Sequence, residues 1–212
     1  MSLPCPVCRS IDTRHFQRID QRSYWRCERC QVTYLDPAQH PELAQEKAEY
    51  DRHENDPKDP GYRRFLSRLA RPLMARLKPG SSGLDYGCGP GPALAQMLEE
   101  AGFAMSLHDP IYAPDEKVLG RQYDFITCTE VVEHFHRPAD EFKRLFSLLK
   151  PGGWLGLMTR FQTDDARFAG WHYRRDPTHV VFYRPATFHW LAEEYGATAE
   201  TMPPDTVLMK IE

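Results

Sequence analysis

The feature that most constrains the fold is a glycine-rich turn between an apolar strand and a helix-forming run. Residues 84–91 read LDYGCGPG, and residues 93–100 read ALAQMLEE. Glycine allows positive φ and lets a ligand approach the main chain more closely than a Cβ would permit. The turn also meets the N-terminus of a strongly helix-forming run, where anions and polar groups bind well. This unit predicts an α/β fold with a cofactor site at the turn.

The spacing of the glycines disfavours two common nucleotide sites. A dinucleotide fingerprint needs G-x-G-x-x-G, whereas Gly87, Gly89 and Gly91 alternate and Pro92 stands where the third glycine belongs. A phosphate-binding Walker loop needs a Gly-Lys-Ser/Thr sequence after the turn, which is missing. A pyrophosphate cradle is therefore disfavoured.

With its preceding carboxylate, the turn reads acidic-x-G-x-G-x-G and resembles the first motif of the class I S-adenosylmethionine-dependent methyltransferases. The resemblance implies that Asp85 contacts the amino end of the methionine moiety, directly or through water. It also implies that the main chain at Gly87, Cys88, Gly89 and Gly91 lies against the methionine and ribose portions of the cofactor.

A second carboxylate fits the same cofactor. Residues 101–108 read as a turn and a short strand that ends at Asp109. A carboxylate about 20 residues beyond a glycine turn can accept both ribose hydroxyls, as it does in dinucleotide folds. Asp109 and the adjacent Pro110 are expected to contact the ribose. The structural alternative is that Asp109 simply forms a turn before proline.

A third signal is the run YDFITCTEVVEHF at residues 123–135, which reads as a buried parallel strand. Ligands of open α/β sheets bind at the carboxyl ends of such strands. Its Glu-x-x-Glu-His end resembles the fourth-strand motif of small-molecule methyltransferases, including the quinone O-methyltransferases. By that resemblance, the cofactor is faced by Thr129, Glu130 and Val131. Glu133 and His134 then lie nearer the methyl acceptor.

The end of the chain fits the same superfamily. Residues 148–158 match its Pro-Gly-Gly turn into the fifth strand, and residues 185–195 read as a helix that begins at a proline. Residues 197–202 and 206–211 are expected to form an antiparallel strand pair. The chain is thus expected to have the Rossmann-like class I methyltransferase fold, a mostly parallel sheet with an antiparallel C-terminal strand, plus a small N-terminal zinc ribbon.

The ribbon is predicted from two C-x-x-C knuckles. Cys5 and Cys8 are separated from Cys27 and Cys30 by 18 residues, a spacing typical of zinc sites. Four thiolates complete the tetrahedral coordination of a zinc ion and leave no position for water or substrate. The pattern therefore predicts structural zinc rather than catalytic zinc. The ion would supply folding energy that about 35 residues cannot obtain from their own core.

The predicted organisation has three parts: a zinc ribbon at 1–36, a linker and helical cap at 37–82, and an S-adenosylmethionine-binding core at 83–212. In the resembling enzymes, helices before the first motif cap the cofactor pocket. Tyr50 and His53 are therefore candidate lid residues.

The long insertion at residues 160–183 carries many aromatic and titratable side chains, which suggests a pocket wall. Methyl transfer to oxygen or nitrogen needs a positioned acceptor and removal of a proton. The histidines available near neutral pH are His134, His172 and His179. His179 is the first candidate because its Asp-Pro-Thr-His-Val run resembles a segment of small-molecule members of the superfamily. His134 is the second, with Glu133 beside it.

The charge and the apolar runs of the sequence limit the partners and the cellular location that we expect for this protein. The net charge of −3 gives no general polyanion-binding signature. Apolar runs fall short of the ~20 residues of a membrane span, and no signal peptide precedes Cys5. A cytoplasmic protein without a membrane span is expected, with an oligomeric state that the sequence leaves open.

Three functions are consistent with these motifs. The leading hypothesis is a methyltransferase for a small-molecule acceptor, with S-adenosylhomocysteine as its second product. The first alternative is an RNA or ribosome methyltransferase docked by the ribbon, in which six arginines face three acidic residues over 9–29. Many RNA-base methyltransferases carry an Asn/Asp-Pro-Pro-aromatic tetrad after the fourth strand. Residues 129–132 read TEVV instead, which argues against methylation of an RNA base. The second alternative is a non-catalytic cofactor-binding module.

Overall fold

The computed structural model describes residues 3–52 and 55–212, and the described chain forms two β-sheets with helices packed on them. The strands are β1 (Thr13–Ile19), β2 (Arg22–Cys27), β3 (Thr33–Leu35), β4 (Ser82–Tyr86), β5 (Ala104–His108), β6 (Tyr123–Thr129), β7 (Leu149–Met158), β8 (Val181–Phe182), β9 (Ala197–Met202) and β10 (Thr206–Ile211). The helices are α1 (Leu43–Tyr50), α2 (Pro60–Met74), α3 (Ala93–Glu100), α4 (Pro138–Ser147), α5 (His172–Arg175) and α6 (Pro185–Glu194).

The larger sheet has the strand order β5-β4-β6-β7-β10-β9. Strands β5, β4, β6 and β7 run parallel, whereas β10 runs antiparallel to both β7 and β9. The expected Rossmann-like methyltransferase fold, with its antiparallel C-terminal closure, is confirmed.

Helices cover both faces of this sheet. Phe125 and Ile126 are neighbours in β6, so their side chains point to opposite faces, and both are 0% exposed. Phe125 packs in a cluster with leucines of α2 and α3, whereas Ile126 packs in a cluster with apolar residues of α4 and α6. Burial on both faces explains why β6 reads as a continuous apolar run rather than as an alternating one.

The smaller sheet has the order β1-β2-β3-β8, with antiparallel pairing throughout. Its last strand comes from the C-terminal half of the chain, since Thr33 pairs with Phe182 and Tyr34 with Val181. One apolar cluster runs from the N-terminal strands to the core of the larger sheet. The ribbon therefore shares both a sheet and a core with the remainder of the chain, and the domain limits at 36 and 82 stay predictions.

The carboxyl ends of β4, β5 and β6 meet at one edge of the larger sheet, because these strands are parallel neighbours. The glycine turn follows β4, Asp109 follows β5 and Glu130 follows β6. This edge is where ligands of open α/β sheets bind. Within residues 3–52 and 55–212, no helix has the length and apolar character needed to cross a membrane.

Candidate active site

A cavity of about 810 Å³ opens at this edge of the sheet. Every cofactor residue proposed from the sequence lines it: Asp85, Gly87, Cys88, Gly89, Gly91, Asp109, Pro110, Thr129, Glu130 and Val131. The candidate bases His134, His172 and His179 line it as well. Glu133 does not reach the lining and is 0% exposed in the interior.

The glycine turn leaves no room for side chains at two of its three glycines. Gly87 has a φ of 78°, and a Cβ there would lie 2.5 Å from Val131 Cγ2. A Cβ at Gly91 would lie 2.0 Å from the main-chain oxygen of Asn55. At Gly89, with a φ of 62°, the nearest atom to a Cβ would be 3.6 Å away. A ligand can therefore approach the bare main chain at Gly89.

Asp85 stands at the end of β4 with its side chain buried. Thr127 Oγ1 donates a hydrogen bond of 2.7 Å to Asp85 Oδ1. Burial raises the pKa of Asp85 to about 6, the hydrogen bond from Thr127 opposes this rise, and the charge of Asp109 adds to it. A buried carboxylate gains most from a cationic partner, so this end of the cavity suits an ammonium group.

Asp109 connects the glycine turn to the loop after β5. Its Oδ2 accepts a hydrogen bond of 3.0 Å from the main-chain N–H of Gly89. Its Oδ1 accepts bonds of 2.8 Å and 3.0 Å from the main-chain N–H groups of Ile111 and Tyr112. These bonds fix the carboxylate beside the turn, and Oδ2, which accepts only one of them, keeps a second lone pair for a ligand hydroxyl.

Glu130 follows β6 in the left-handed region, with a φ of 52°. Such a conformation is uncommon for a non-glycine residue and clusters at functional sites. Burial raises the pKa of Glu130 to about 7, and the charges of Arg68 and Arg160 oppose this rise. Glu130 is therefore a carboxyl group that can change protonation near neutral pH inside the cavity.

The two leading histidines lie close together in the lining of the same cavity, with ring centroids 4.7 Å apart. His134 Nδ1 lies 3.1 Å from the Thr178 carbonyl oxygen, and His179 Nδ1 lies 2.7 Å from the Tyr173 carbonyl oxygen. Because a carbonyl only accepts, each Nδ1 carries a proton. In the neutral ring, Nε2 is then the atom that can take up a proton or bind a metal.

Glu133 lies behind these histidines and anchors Tyr173. The Tyr173 hydroxyl donates a 2.5 Å hydrogen bond to Glu133 Oε1 and lies 3.0 Å from Thr159 Oγ1. Burial, followed by the charge of Glu130, raises the pKa of Glu133 well above its usual range. Side-chain atoms of Glu133, His134 and His179 come within 4.8 Å of one another, close enough to bind one metal ion together.

Helix α1 covers the part of the cavity where His134 lies. The ring of Tyr50 meets His134 edge-on at 5.2 Å between centroids, and Tyr50 lines the cavity. Its role as a lid residue stays a prediction. Glu46 Oε1 lies 2.8 Å from His136 Nε2, which ties α1 to the loop after β6. The other candidate lid residue, His53, lies outside the described residues.

The four cysteines of the knuckles come together at the N-terminal end of the molecule, with one sulfur from each within 4.8 Å of the others. The Sγ atoms of Cys5 and Cys30 are 3.6 Å apart, and those of Cys8 and Cys27 are 3.4 Å apart. All four are free thiols. This donor set and spacing suit one tetrahedral zinc with Zn–S bonds of about 2.3 Å.

The two knuckles also have the same local shape. Arg9 and Gln31, which directly follow the knuckles, have φ values of 59° and 63°. The main-chain N–H of the second cysteine points to the first sulfur in each knuckle, at 3.5 Å. The turns therefore orient the sulfurs toward a common point from both sides.

A family model described as "Methyltransferase domain" matches residues 50–201. The match covers the glycine turn, both carboxylates and all three candidate histidines. The chain belongs to this family, and its motifs and fold are those of the class I S-adenosylmethionine-dependent methyltransferases.

Curated relatives match over short stretches. The chain is 31% identical over 80 residues to a ubiquinone biosynthesis O-methyltransferase of Sodalis glossinidius (strain morsitans), covering 38% of this chain and 32% of the relative. It is 47% identical over 38 residues to the enzyme of the same name from Leptothrix cholodnii, covering 18% of this chain and 16% of the relative. The matched stretch thus spans about a third of the first relative and less of the second.

Solved structures share the fold at low identity. Magnesium protoporphyrin IX methyltransferase from Synechocystis PCC 6803, with bound S-adenosylhomocysteine, matches 72% of this chain and 84% of its own at 17% identity and a TM-score of 0.54. Burkholderia thailandensis 1,6-didemethyltoxoflavin-N1-methyltransferase, also with S-adenosylhomocysteine, matches 95% and 100% at 14% identity and a TM-score of 0.54. At these identities the likeness establishes the fold.

Sequence reasoning missed two residues that lie beside Glu133 and His179. Tyr173 bonds to Glu133, and Asp176 Oδ2 lies 3.8 Å from His179 Nε2, yet only the insertion as a whole was expected to form a wall. The available signal was spacing, since Tyr173, Asp176 and His179 recur at every third position.

Proposed function

We propose that this protein transfers a methyl group from S-adenosylmethionine to a small molecule that carries an O–H or N–H group, and releases S-adenosylhomocysteine. One observation carries the proposal. A single cavity is lined by two carboxylates, a bare glycine turn and two close histidines.

When bound, S-adenosylmethionine supplies an electrophilic methyl group on a positively charged sulfur. Asp85 is the proposed partner of its methionine ammonium, because a buried carboxylate with a pKa of about 6 is stabilised in its charged form by a cation. Asp109 is the proposed partner of the ribose hydroxyls, held beside Gly89 by three main-chain N–H groups.

His179 is the proposed base that takes the acceptor's proton, with His134 as the second candidate. The Tyr173 carbonyl fixes the tautomer of His179, so its Nε2 can accept a proton. Asp176, 3.8 Å from that nitrogen, would stabilise the imidazolium that forms. The proposed part of Glu133 is to hold Tyr173 and, through its main-chain oxygen, the N–H of Val180 beside the base.

A small planar acceptor suits the cavity because aromatic rings line its acceptor side: Tyr50, Phe135 and Tyr173. The curated relatives are O-methyltransferases, which agrees with a hydroxyl acceptor. The ribbon arginines Arg9, Arg14 and Arg26 are paired with carboxylates, so we do not extend the proposal to RNA. We also propose that Cys5, Cys8, Cys27 and Cys30 bind one structural zinc ion.

Isothermal calorimetry with S-adenosylhomocysteine tests the donor side. Asp109→Ala should weaken binding by about 10- to 100-fold, because it removes charged hydrogen-bond acceptors worth about 1.5–3 kcal/mol. Asp115→Ala is the matched control, since Asp115 caps the neighbouring 3₁₀ turn without lining the cavity. Equal affinities for the Asp109 variant and the wild type would remove Asp109 from the site.

A metabolite screen scored by S-adenosylhomocysteine release tests the acceptor side. On any accepted substrate, His179→Gln should lower kcat by about 10²- to 10⁴-fold while S-adenosylhomocysteine still binds. The exposed His189 supplies the control variant His189→Gln. Donor binding without turnover of any acceptor class would favour the non-catalytic module instead, and an undiminished kcat in His179→Gln would reject this base.

A further inference from the structure

The described part of the ribbon, residues 3–36, packs directly on the acceptor wall, defined as residues 160–183. Strand β3 of the ribbon pairs with β8 of the wall. The main-chain N–H of Leu35 donates to the Val180 carbonyl oxygen at 2.8 Å. Val180 follows His179, so the ribbon fixes the backbone one residue away from the candidate base.

Helix α5 in the wall makes contacts on two sides. Tyr173 directs its hydroxyl to Glu133, whereas Arg174 directs its guanidinium to the ribbon. Arg174 Nη1 donates to the Tyr24 hydroxyl at 3.3 Å, and Nη2 donates to Asp20 Oδ2 at 3.2 Å. Arg174 is only 5% exposed. Because a buried guanidinium depends on its partners, the position of α5 depends on the ribbon.

A second buried arginine joins the same two parts from the ribbon side. Arg26 is 2% exposed, and its Nη2 donates to Asp165 Oδ1 at 2.8 Å. Its Nε donates to Thr33 Oγ1 at 2.8 Å, and that hydroxyl donates to Gln162 Oε1 at 2.6 Å. The wall is therefore bound to the ribbon at two points, each through a buried arginine that donates charged hydrogen bonds.

Aromatic rings fill the space between these polar links. Tyr24 of the ribbon lies 5.1 Å from Phe168 of the wall, and Phe168 lies 5.2 Å from Phe182. Trp171 lies 5.1 Å from Tyr173, whose own ring lies 4.1 Å from His179. Edge and tilted contacts at these distances resist sliding, because the rings interdigitate. The contacts run from the ribbon to the candidate base without a break.

We infer that the ribbon holds the acceptor wall in place, and that Arg174 and Arg26 are positioning residues for methyl transfer that act through Tyr173 and His179. This inference rests on the proposed function for its catalytic meaning. It assigns the ribbon to the substrate-binding side of the enzyme as a built-in support, and it leaves the donor side to β4, β5 and β6.

The test uses the full-length protein with Arg174→Met, which keeps the side-chain stem and removes the donors. Hydrogen exchange followed by mass spectrometry should speed up about tenfold across residues 172–183, with little change across 84–113. The imidazole C–H signals of His179 should shift in the NMR spectrum, because the Tyr173 ring beside them moves. Those signals are assigned by their absence in His179→Gln.

Two further variants keep the test decisive. Arg14→Met is the matched control, since Arg14 pairs with Glu28 inside the ribbon. Tyr24→Phe removes only the hydroxyl that accepts from Arg174, and should speed exchange about threefold across 172–183 if Arg174→Met does not fold. Unchanged exchange in both test variants would overturn the inference. An equal effect in Arg14→Met, or a rise that includes 84–113, would overturn it too.

Failure of the proposed function gives a different result. In that case the wild type would not bind S-adenosylhomocysteine by calorimetry, whatever the exchange pattern. If the wild type and Arg174→Met bind it equally while only 172–183 loosens and His179 shifts, the coupling and its restriction to the acceptor side are both supported.

Discussion

The two sides of the cavity are built in different ways. On the donor side, the site lies within residues 85–131, and its contacts come largely from main-chain groups around Gly89 and Asp109. On the acceptor side, His134 and His179 are side chains on segments 45 residues apart, and the second segment is bound to the ribbon near the N-terminus.

This difference separates the cofactor site, whose geometry must be constant, from the acceptor wall, whose side chains can vary. A binding site made of main-chain groups and two carboxylates depends on backbone geometry that a short sequence can encode. A wall made of side chains on a long insertion can change its shape while the sheet edge stays intact. The acceptor preference of such an enzyme can therefore change without disturbing the site that binds the methyl donor.

The largest expected effect comes from breaking the cysteine cluster. The purified protein should contain about one zinc per chain, and Cys27→Ser should lose it together with the exchange protection of residues 13–35, since structural zinc supplies the folding free energy of such ribbons. The loss should spread to 172–183 before it reaches the donor side. Cys88→Ser is the control, because Cys88 lies outside the cluster. A folded, zinc-free wild type would contradict this prediction.

On the donor side, the next effect separates backbone strain from steric clash. Gly87→Ala should weaken S-adenosylhomocysteine binding at least about 100-fold, because the new Cβ combines positive φ with contact at 2.5 Å to Val131. Gly102→Ala is the matched control: its φ is 89°, with no atom within 4 Å of a Cβ. It should lower stability by about 1–2 kcal/mol and leave binding unchanged. Equal binding by the two variants in calorimetry would show that the clash at Gly87 is relieved.

The same contrast explains how much the sequence predicted. The strand–turn–helix unit, Asp109 and the Glu-x-x-Glu-His segment are local patterns, and the structure brings all of their proposed cofactor residues to one cavity. The C-terminal strand pair at 197–202 and 206–211 is confirmed to the residue, because each strand is long enough to carry a pattern.

The structure of the acceptor side could not be predicted from local sequence patterns. Strand β8 has only two residues, Val181 and Phe182, too few to carry a periodicity, so its pairing with β3 was not predicted. Glu133 was expected beside the acceptor, but its carboxyl group is buried and acts on Tyr173 across 40 positions of sequence. Contacts of this range depend on tertiary packing, which no local pattern records.

The smallest expected effect on ligand binding is a pH dependence that comes from Asp85. Burial raises the pKa of Asp85 from 3.8 to about 6, so the folded protein holds this proton more tightly than the unfolded chain does. Ionising Asp85 therefore costs stability as pH rises from about 4 to about 6, by about 3 kcal/mol in total. Asp85→Asn removes that cost and should raise the free energy of unfolding at pH 7, as measured by urea denaturation.

Ligand binding should respond with the opposite sign, because the proposed ammonium partner needs the ionised carboxylate. At pH 5 about one molecule in ten has Asp85 charged, so S-adenosylhomocysteine should bind about tenfold more weakly than at pH 7. Asp85→Asn should bind weakly at both pH values, and any slope that remains in this variant comes from other groups of the cavity, among them Glu130, whose pKa is about 7. If calorimetry gave the wild type and Asp85→Asn the same slope, Asp85 would not be the ammonium partner. If Asp85→Asn were more stable but bound S-adenosylhomocysteine with unchanged affinity, the buried carboxylate of Asp85 would only lower stability. Binding of the methyl donor would then depend on Asp109 and the glycine turn.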